Sequence, residues 1–215
     1  MWKYLIIVVI IGSGCSNNTK RTDSEKSKVS IVKDLEPKAE NDTPNFDELV
    51  QQFNNLEAQG RQNILYELNE LKYPEIKSLL EKALNDENEY VRIIAIQSIK
   101  GNMQIESIDK LITMFKETEN HTLISNLTKT FVEFQLDKPI PVLVKKLNSK
   151  NEMVIYDCVW ALGEIGSDSE IETLEQLTSN SNIPQIYDDE GVLSQTTQFS
   201  IGQMAEKSIV KIRNK

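Results

Sequence analysis

Histidine and cysteine are almost missing from this chain: one histidine, His121, and two cysteines, Cys15 and Cys158, in 215 residues. Zinc-type centres need several His or Cys ligands converging on one ion, so that class of site is excluded. Thr122 follows His121, which also closes the paired His-Glu arrangement used to hold iron. No Gly-rich phosphate loop, P-loop or Gly-x-Ser-x-Gly elbow occurs, removing the usual signatures of nucleotide and acyl-transfer chemistry. Long hydrophobic runs are absent too. The apolar stretch Leu5–Ile11 has seven residues, too few to span a bilayer. Positive charge is in deficit, with 24 basic against 33 acidic side chains and a net charge of −9. Long-range attraction to nucleic acid or anionic headgroups needs the opposite sign, so no nucleic-acid partner is expected. Neither a cofactor nor a catalytic residue is expected, and the chain reads as a non-enzyme.

What the chain does contain is a repeat. Val154–Ile165 reads VIYDCVWALGEI, and 63 residues earlier Val91–Asn102 reads VRIIAIQSIKGN. Val91, Ala95, Ser98 and Ile99 stand where Val154, Cys158, Ala161 and Leu162 stand, and Leu123, Leu127, Thr130 and Phe131 take the same places halfway between. Small and aliphatic residues at i, i+4, i+7 and i+8 form one stripe of an α-helix. A fixed period of about 31 residues implies stacked supersecondary units sharing one continuous core.

The spacing predicts a leading helix after Thr43-Pro44, then helix pairs Arg61–Lys72 with Pro74–Leu84, Glu89–Gly101 with Glu106–Lys116, His121–Phe134 with Pro139–Leu147, and Glu152–Ile165 with Ser169–Thr178. Pro74 and Pro139 fall at helix starts, where a missing N–H costs nothing. A last helix, Ser200–Ile212, repeats the first-helix stripe through Ile201, Ala205, Ser208, Ile209 and Ile212. Between it and the fourth pair lies a long connection, 179–198, expected to be an irregular loop. Connections of that length are usually functional or disordered. The fold expected is all-α: an α-solenoid of antiparallel helix pairs over residues 46–215.

The N-terminus differs in kind. MWKYLIIVVIIGSGC carries Lys3, the apolar run and then Gly12, Ser13 and Gly14 before Cys15. A charged n-region, a short apolar h-region and small residues at the cleavage site describe a secretory signal, residues 1–14. The cysteine directly after them resembles the lipobox of bacterial lipoproteins, with Gly12 where an aliphatic residue is usual. The resemblance implies diacylation of the Cys15 thiol and cleavage before it. Cys158 is then left without an intramolecular partner. Removal of Lys3 with the signal would take the net charge from −9 to −10, so membrane association would rest on the acyl chains, two of which anchor durably where one does not. Residues 16–45 carry six basic and six acidic side chains and no aromatic. Such a segment buries too little apolar surface to offset its conformational entropy, so 15–45 reads as an acylated tether. Location in the bacterial envelope follows, with Ser16 compatible with the outer membrane, facing the periplasm, in a Gram-negative cell.

Asp86 and Arg92, flanking ENEYV, and the ALGEIG of Ala161–Gly166 complete a resemblance to HEAT repeats, closest to the PBS-lyase HEAT-like subtype of the armadillo-like helical superhelices. The resemblance covers about residues 57–212. It implies that Asp86 and Arg92 bridge neighbouring repeats and set their stacking. Ile124 and Ile155 replace the arginine in later repeats. It also implies a scaffold that binds a protein or peptide partner. Analogy with the bilin lyases that give the subtype its name would imply an enzyme, and rests on fold alone.

Three features remain as candidate sites. Cys158 lies on an apolar stripe, one repeat from His121, and reads as core and not as half of a nucleophile pair. Asp188, Asp189 and Glu190 offer oxygen ligands without the alternating spacing of an EF-hand, and read as solvated charge. Tyr156 and Trp160, at 100° per residue, point about 150° away from the core stripe. Their columns elsewhere hold Ile93 and Gln97, Ser125 and Lys129, Gln203 and Lys207, mostly polar. An exposed Tyr–Trp pair at i, i+4 reads as a partner-binding hot spot, unless the 179–198 connection or a neighbouring helix covers it. The non-core positions of the second helices (Lys82, Glu106, Lys110, Lys145, Lys146, Glu172, Glu175) predict a mixed-charge inner surface.

Overall fold

The computed structural model describes residues 46–71, 76–102, 108–188 and 190–215. The signal peptide, Cys15 and tether lie outside the described residues, as do Pro74, Glu106 and Asp189. Ten helices occur among the described residues: α1 (Phe46–Asn55), α2 (Ala58–Leu71), α3 (Ile76–Ala83), α4 (Glu89–Asn102), α5 (Ile108–Glu117), α6 (His121–Glu133), α7 (Ile140–Lys146), α8 (Glu152–Ile165), α9 (Ile171–Glu175) and α10 (Ile201–Arg213). One 3-10 turn, Asp168–Glu170, leads into α9. The fold is an α-solenoid of stacked antiparallel helix pairs.

The first helices α4, α6 and α8 start where they do because the same small turn recurs. Asn88, Asn120 and Asn151 each accept hydrogen bonds from first-turn amides: Tyr90 and Val91, Leu123, and Met153, at 3.0 to 3.3 Å. Each asparagine's own amide is tied to the side chain two residues before it, Asp86 (2.8 Å), Thr118 (3.1 Å) and Ser149 (3.1 Å). An asparagine cap satisfies an orphan amide at a helix start, and the preceding Asx or Ser/Thr turn sets the entry angle. Asn182 belongs to this series, since its amide is held 3.0 Å from Asn180 Oδ1. No helix starts after it. Instead residues 183–199 leave the stack and return, and the Ile201 amide then bonds to Asn182 O at 2.9 Å. The ends of the excursion therefore touch, and Ser200 takes over as the cap of α10, its hydroxyl accepting the Gln203 amide at 3.2 Å.

The excursion is not the irregular loop expected from its length. Gln185–Tyr187 (β1) and Leu193–Thr196 (β2) pair antiparallel, Gln185 opposite Thr196 and Ile186 opposite Gln195, with an irregularity before Tyr187–Leu193. Asp188 Oδ1 accepts the Glu190 amide (3.0 Å) and the Val192 amide (2.8 Å), closing the turn. Gly191, at φ +76°, supplies the left-handed residue that such a turn requires.

The first helices α2, α4, α6, α8 and α10 form one row, each packed on the next. Every expected stripe is buried: Val91, Ala95, Ser98 and Ile99; Leu123, Leu127, Thr130 and Phe131; Val154, Cys158, Ala161 and Leu162; Ile201, Ala205, Ser208, Ile209 and Ile212. Phe115 and Phe131 meet edge to face at 5.5 Å, joining α5 to α6. One pairing differs from expectation. Each second helix packs most closely on the first helix of the following unit (α3 on α4, α5 on α6, α7 on α8, α9 on α10) and not on the helix before it. The capped turns explain this: a few residues locked by Asx geometry hold consecutive helices as tight hairpins.

The row is drawn closest at its C-terminal end. A Cβ placed on Gly163 would lie 2.8 Å from the Cα of Ser208, so glycine lets α8 and α10 approach. Ser208 Oγ donates to Val159 O at 2.9 Å, satisfying the hydroxyl that this approach buries.

Candidate functional site

The polar ties between repeats come first, because they remove residues from the pool available to a partner. Asp86 bridges repeats as the resemblance implies, but its guanidinium partner is Arg61. Arg61 Nε lies 2.7 Å from Oδ2 and Nη2 lies 2.8 Å from Oδ1, a two-point fork with both side chains largely buried. That hydrogen bond is the leading cause raising the Arg61 pKa, against desolvation. Arg92 does not meet the Asp86 carboxylate among its hydrogen bonds. Its Nη1 donates to the backbone oxygens of Asp86 (2.6 Å) and Glu87 (2.9 Å). Arg61 makes the matching local bond, from Nη1 to Leu56 O at 2.7 Å. Both arginines therefore clamp the chain five residues before them, and Arg61 alone also crosses to the next unit. The sequence reading missed Arg61, whose signal was its position 31 residues before Arg92.

Lysines tie the second helices together. Lys110 Nζ donates to Glu81 O at 2.6 Å, and Lys146 Nζ to Thr118 O at 2.6 Å and Glu119 Oε1 at 2.8 Å. A cation at the carbonyl end of a preceding helix meets the negative end of its dipole. Desolvation lowers the Lys110 pKa. At the end of the chain, Lys215 Nζ reaches Gly166 O at 2.7 Å, Lys211 pairs with Glu164 and Arg213 with Glu175. The mixed-charge inner surface is thus partly consumed in stacking, through Lys110, Lys146 and Glu175.

Tyr156 and Trp160 are half-buried and pack against the core cluster. β1 and β2 pack chiefly on each other. The column is mixed: Gln97, Lys129, Gln203 and Lys207 are exposed, Ser125 is half-buried, and Ile93 is buried. Beside the pair, the Asp157 carboxyl is pushed above its ordinary pKa by desolvation, opposed by a hydrogen bond from Ser125 and by the charges of Lys129 and His121 on α6. Its Oδ2 is buried without a hydrogen-bond partner. Desolvation, with the Asp157 charge adding to it, also raises the Tyr156 phenol. On the adjoining helix a shallow pocket of about 460 Å³ is lined by Phe199, Gln203, Glu206, Lys207 and Val210, with Lys207 Nζ 4.3 Å from the centre of the Phe199 ring. Gln203 and Lys207 occupy on α10 the columns that Tyr156 and Trp160 occupy on α8. The two helices together form a partly apolar, aromatic-bearing face.

Cys158 is buried in the stripe and burial drives its thiol pKa upward, so it is held as the unreactive thiol. His121 sits half-buried at the start of α6, its Nε2 3.3 Å from Thr122 Oγ1. Among the described residues no group of three His, Cys, Asp or Glu is placed to hold a metal ion, and Asp188 is occupied within its own turn. Among the same residues no helix is long and apolar enough to cross a membrane.

Residues 46–130, from α1 into α6, match the family model for HEAT repeats. After residue 130, α8 and α10 carry the same buried stripe, and α8 the same Asn-capped turn. No curated protein matches the chain. HEAT repeats commonly serve as scaffolds for protein interaction, and a protein partner in general is what the match indicates.

Proposed function

We propose that this chain is a non-catalytic protein-interaction scaffold tethered to a bacterial membrane by acyl chains on Cys15. The surface that takes the partner is the first-helix face formed by Tyr156 and Trp160 on α8 and by Phe199, Lys207 and Val210 around α10. The observation that carries this is that aromatic and aliphatic side chains line a column filled mainly by polar residues on α4 and α6, beside an open pocket. Half-buried aromatics of this kind present rigid area at small entropic cost, and such anchors dominate interface energies. The lipobox-like ending MWKYLIIVVIIGSGC and the charged stretch 16–45 support the tether, which would let the solenoid range about 30 Å from the bilayer. The compartment is then the cell envelope, at the outer membrane facing the periplasm in a Gram-negative cell. The alternative is a structural subunit of an envelope complex, which co-purification in fixed stoichiometry would distinguish.

Two measurements test it. Growth with labelled palmitate labels the wild-type protein and not Cys15→Ala; an unlabelled wild type removes the anchor. Crosslinking and capture from intact envelopes recovers a protein partner, and the Tyr156→Ala/Trp160→Ala double variant loses it at unchanged helicity. Truncating a central aromatic anchor commonly costs about 2 kcal/mol or roughly thirtyfold in affinity. Capture unaffected by the double variant removes this face from the proposal.

A further inference from the structure

The insertion between Asn182 and Ile201 is a preorganised element with apolar side chains facing water. Ile183, Tyr187, Val192 and Leu193 are 49%, 55%, 58% and 45% exposed, although internal bonds fix the hairpin: Asp188 closes its turn, Tyr187 Oη donates to Gln185 Oε1 at 2.6 Å, and Ser194 Oγ donates to Ile186 O at 3.1 Å. Its turn bears Asp188 and Glu190. Because the stack closes beneath it, through Ile201 N to Asn182 O, the hairpin is surplus to the solenoid's own packing.

A surface of opposite charge lies at the ends of two second helices. The ends of α5 and α7 form a cleft of about 460 Å³ lined by Lys116, Glu119, Val142, Lys145, Lys146, Asn148 and Ser149. Lys146 and Glu119 neutralise each other, while Lys116 and Lys145 are exposed and carry the uncompensated charge of the lining. The cleft lies at the finishing end of α7, and α7 turns at once into α8. The hairpin's base is held to the starting end of α8 by the Asn182 Nδ2 bond to Glu152 Oε1. Both features therefore lie near the starting end of α8. A strand pair of this length projects roughly 15 Å, farther than the 8–10 Å between packed helices.

We propose that the hairpin of one molecule seats in the lysine-lined cleft of a second copy and receives the second copy's hairpin in its own cleft, forming a two-fold dimer edge to edge. Such an exchange is isologous and self-closing, so it ends at two chains. Apolar Tyr187, Val192 and Leu193 leave water, and the acidic turn meets Lys116 and Lys145.

The test is sedimentation velocity of residues 15–215 with Cys15→Ser, over a concentration series. Dimerisation is expected, with Val192→Asp/Leu193→Asp giving monomer at an unchanged circular-dichroism melting profile. Glu190→Lys and Lys145→Glu should each weaken the dimer about tenfold or more by setting like charges together, and the two changes combined should restore it. A monomer at every concentration overturns the proposal. So does a dimer indifferent to the hairpin substitutions, or charge reversals that fail to compensate each other.

Discussion

The α8–α10 contact and the β1–β2 hairpin lie within a few residues of each other and are built on opposite logic. In the contact, every side chain of the stripe is buried, glycine admits a neighbouring backbone, and one hydroxyl bonds across the interface. In the hairpin, order comes from side chains binding their own turn, and the large apolar groups face solvent. Long-range packing holds one, local hydrogen bonding the other. Substitutions should therefore damage the first through the stability of the whole chain and the second through association alone.

The largest effect should come from Cys158→Asp. Burial that already disfavours the thiolate would leave a carboxylate without a partner in the α8 stripe, a cost of several kcal/mol on the order of 3–5. Cooperative thermal unfolding by circular dichroism should be lost, and an unchanged melting curve would mean that the stripe is not core. Gly163→Ala comes next. Its new methyl meets the Cα and Cβ of Ser208, and overpacking of about 1–3 kcal/mol outweighs the roughly 1 kcal/mol that alanine gains in a helix. A lowered urea midpoint at constant slope is expected, and a raised one would show that α8 and α10 are not in such close approach.

Arg61→Met should cost about 1–3 kcal/mol, because it leaves Asp86 largely buried without its guanidinium. Arg92→Met, which removes bonds to backbone oxygens only, should cost less. Equal losses in the two would put the inter-repeat tie elsewhere. Asp157 gives a pH signature. Its folded pKa lies above the unfolded value, so between the two the folded state holds more protons. The stability it contributes is present at low pH and falls as pH rises from about 4 through the shifted value. Asp157→Asn should therefore raise the melting temperature at neutral pH relative to wild type and bring no such gain near pH 4. A gain of the same size at both pH values would place the carboxyl in water. The smallest effect belongs to the hairpin. Val192→Ser/Leu193→Ser, melted at low protein concentration, should stay within about 0.5 kcal/mol of wild type, and a larger loss would make the hairpin part of the core.

Much of the stack was legible because periodic burial writes itself into a sequence. The stripe residues of α4, α6, α8 and α10 could be named in advance, since a helix face that meets a neighbour must be apolar or small at i, i+4, i+7 and i+8. The Asx turns were equally legible and went unread: Asn88, Asn120, Asn151 and Asn182 recur at 31 or 32 residues, each two positions after a side chain able to hold its amide. That series would have located the insertion directly, since Asn182 is a cap with no helix after it. The hairpin left a fainter trace, a glycine after three acidic residues, in a segment whose length suggested a loop.

Tyr156 and Trp160 mark the limit of the helical wheel. An angle from the stripe says which way a side chain leaves its own helix, not how closely its neighbours approach, and this pair is half-buried in the stack. By itself the sequence determined the repeat, its period, the buried stripe and the contrast between a charged N-terminal stretch and a packed remainder, because each follows from local chemistry or from the burial every repeat requires. The tertiary structure decided which carboxylate Arg61 holds, which helix each second helix rests on, and that the apolar groups of the insertion stay in water. These depend on how far apart two backbones sit after packing, a distance that no spacing along one chain contains.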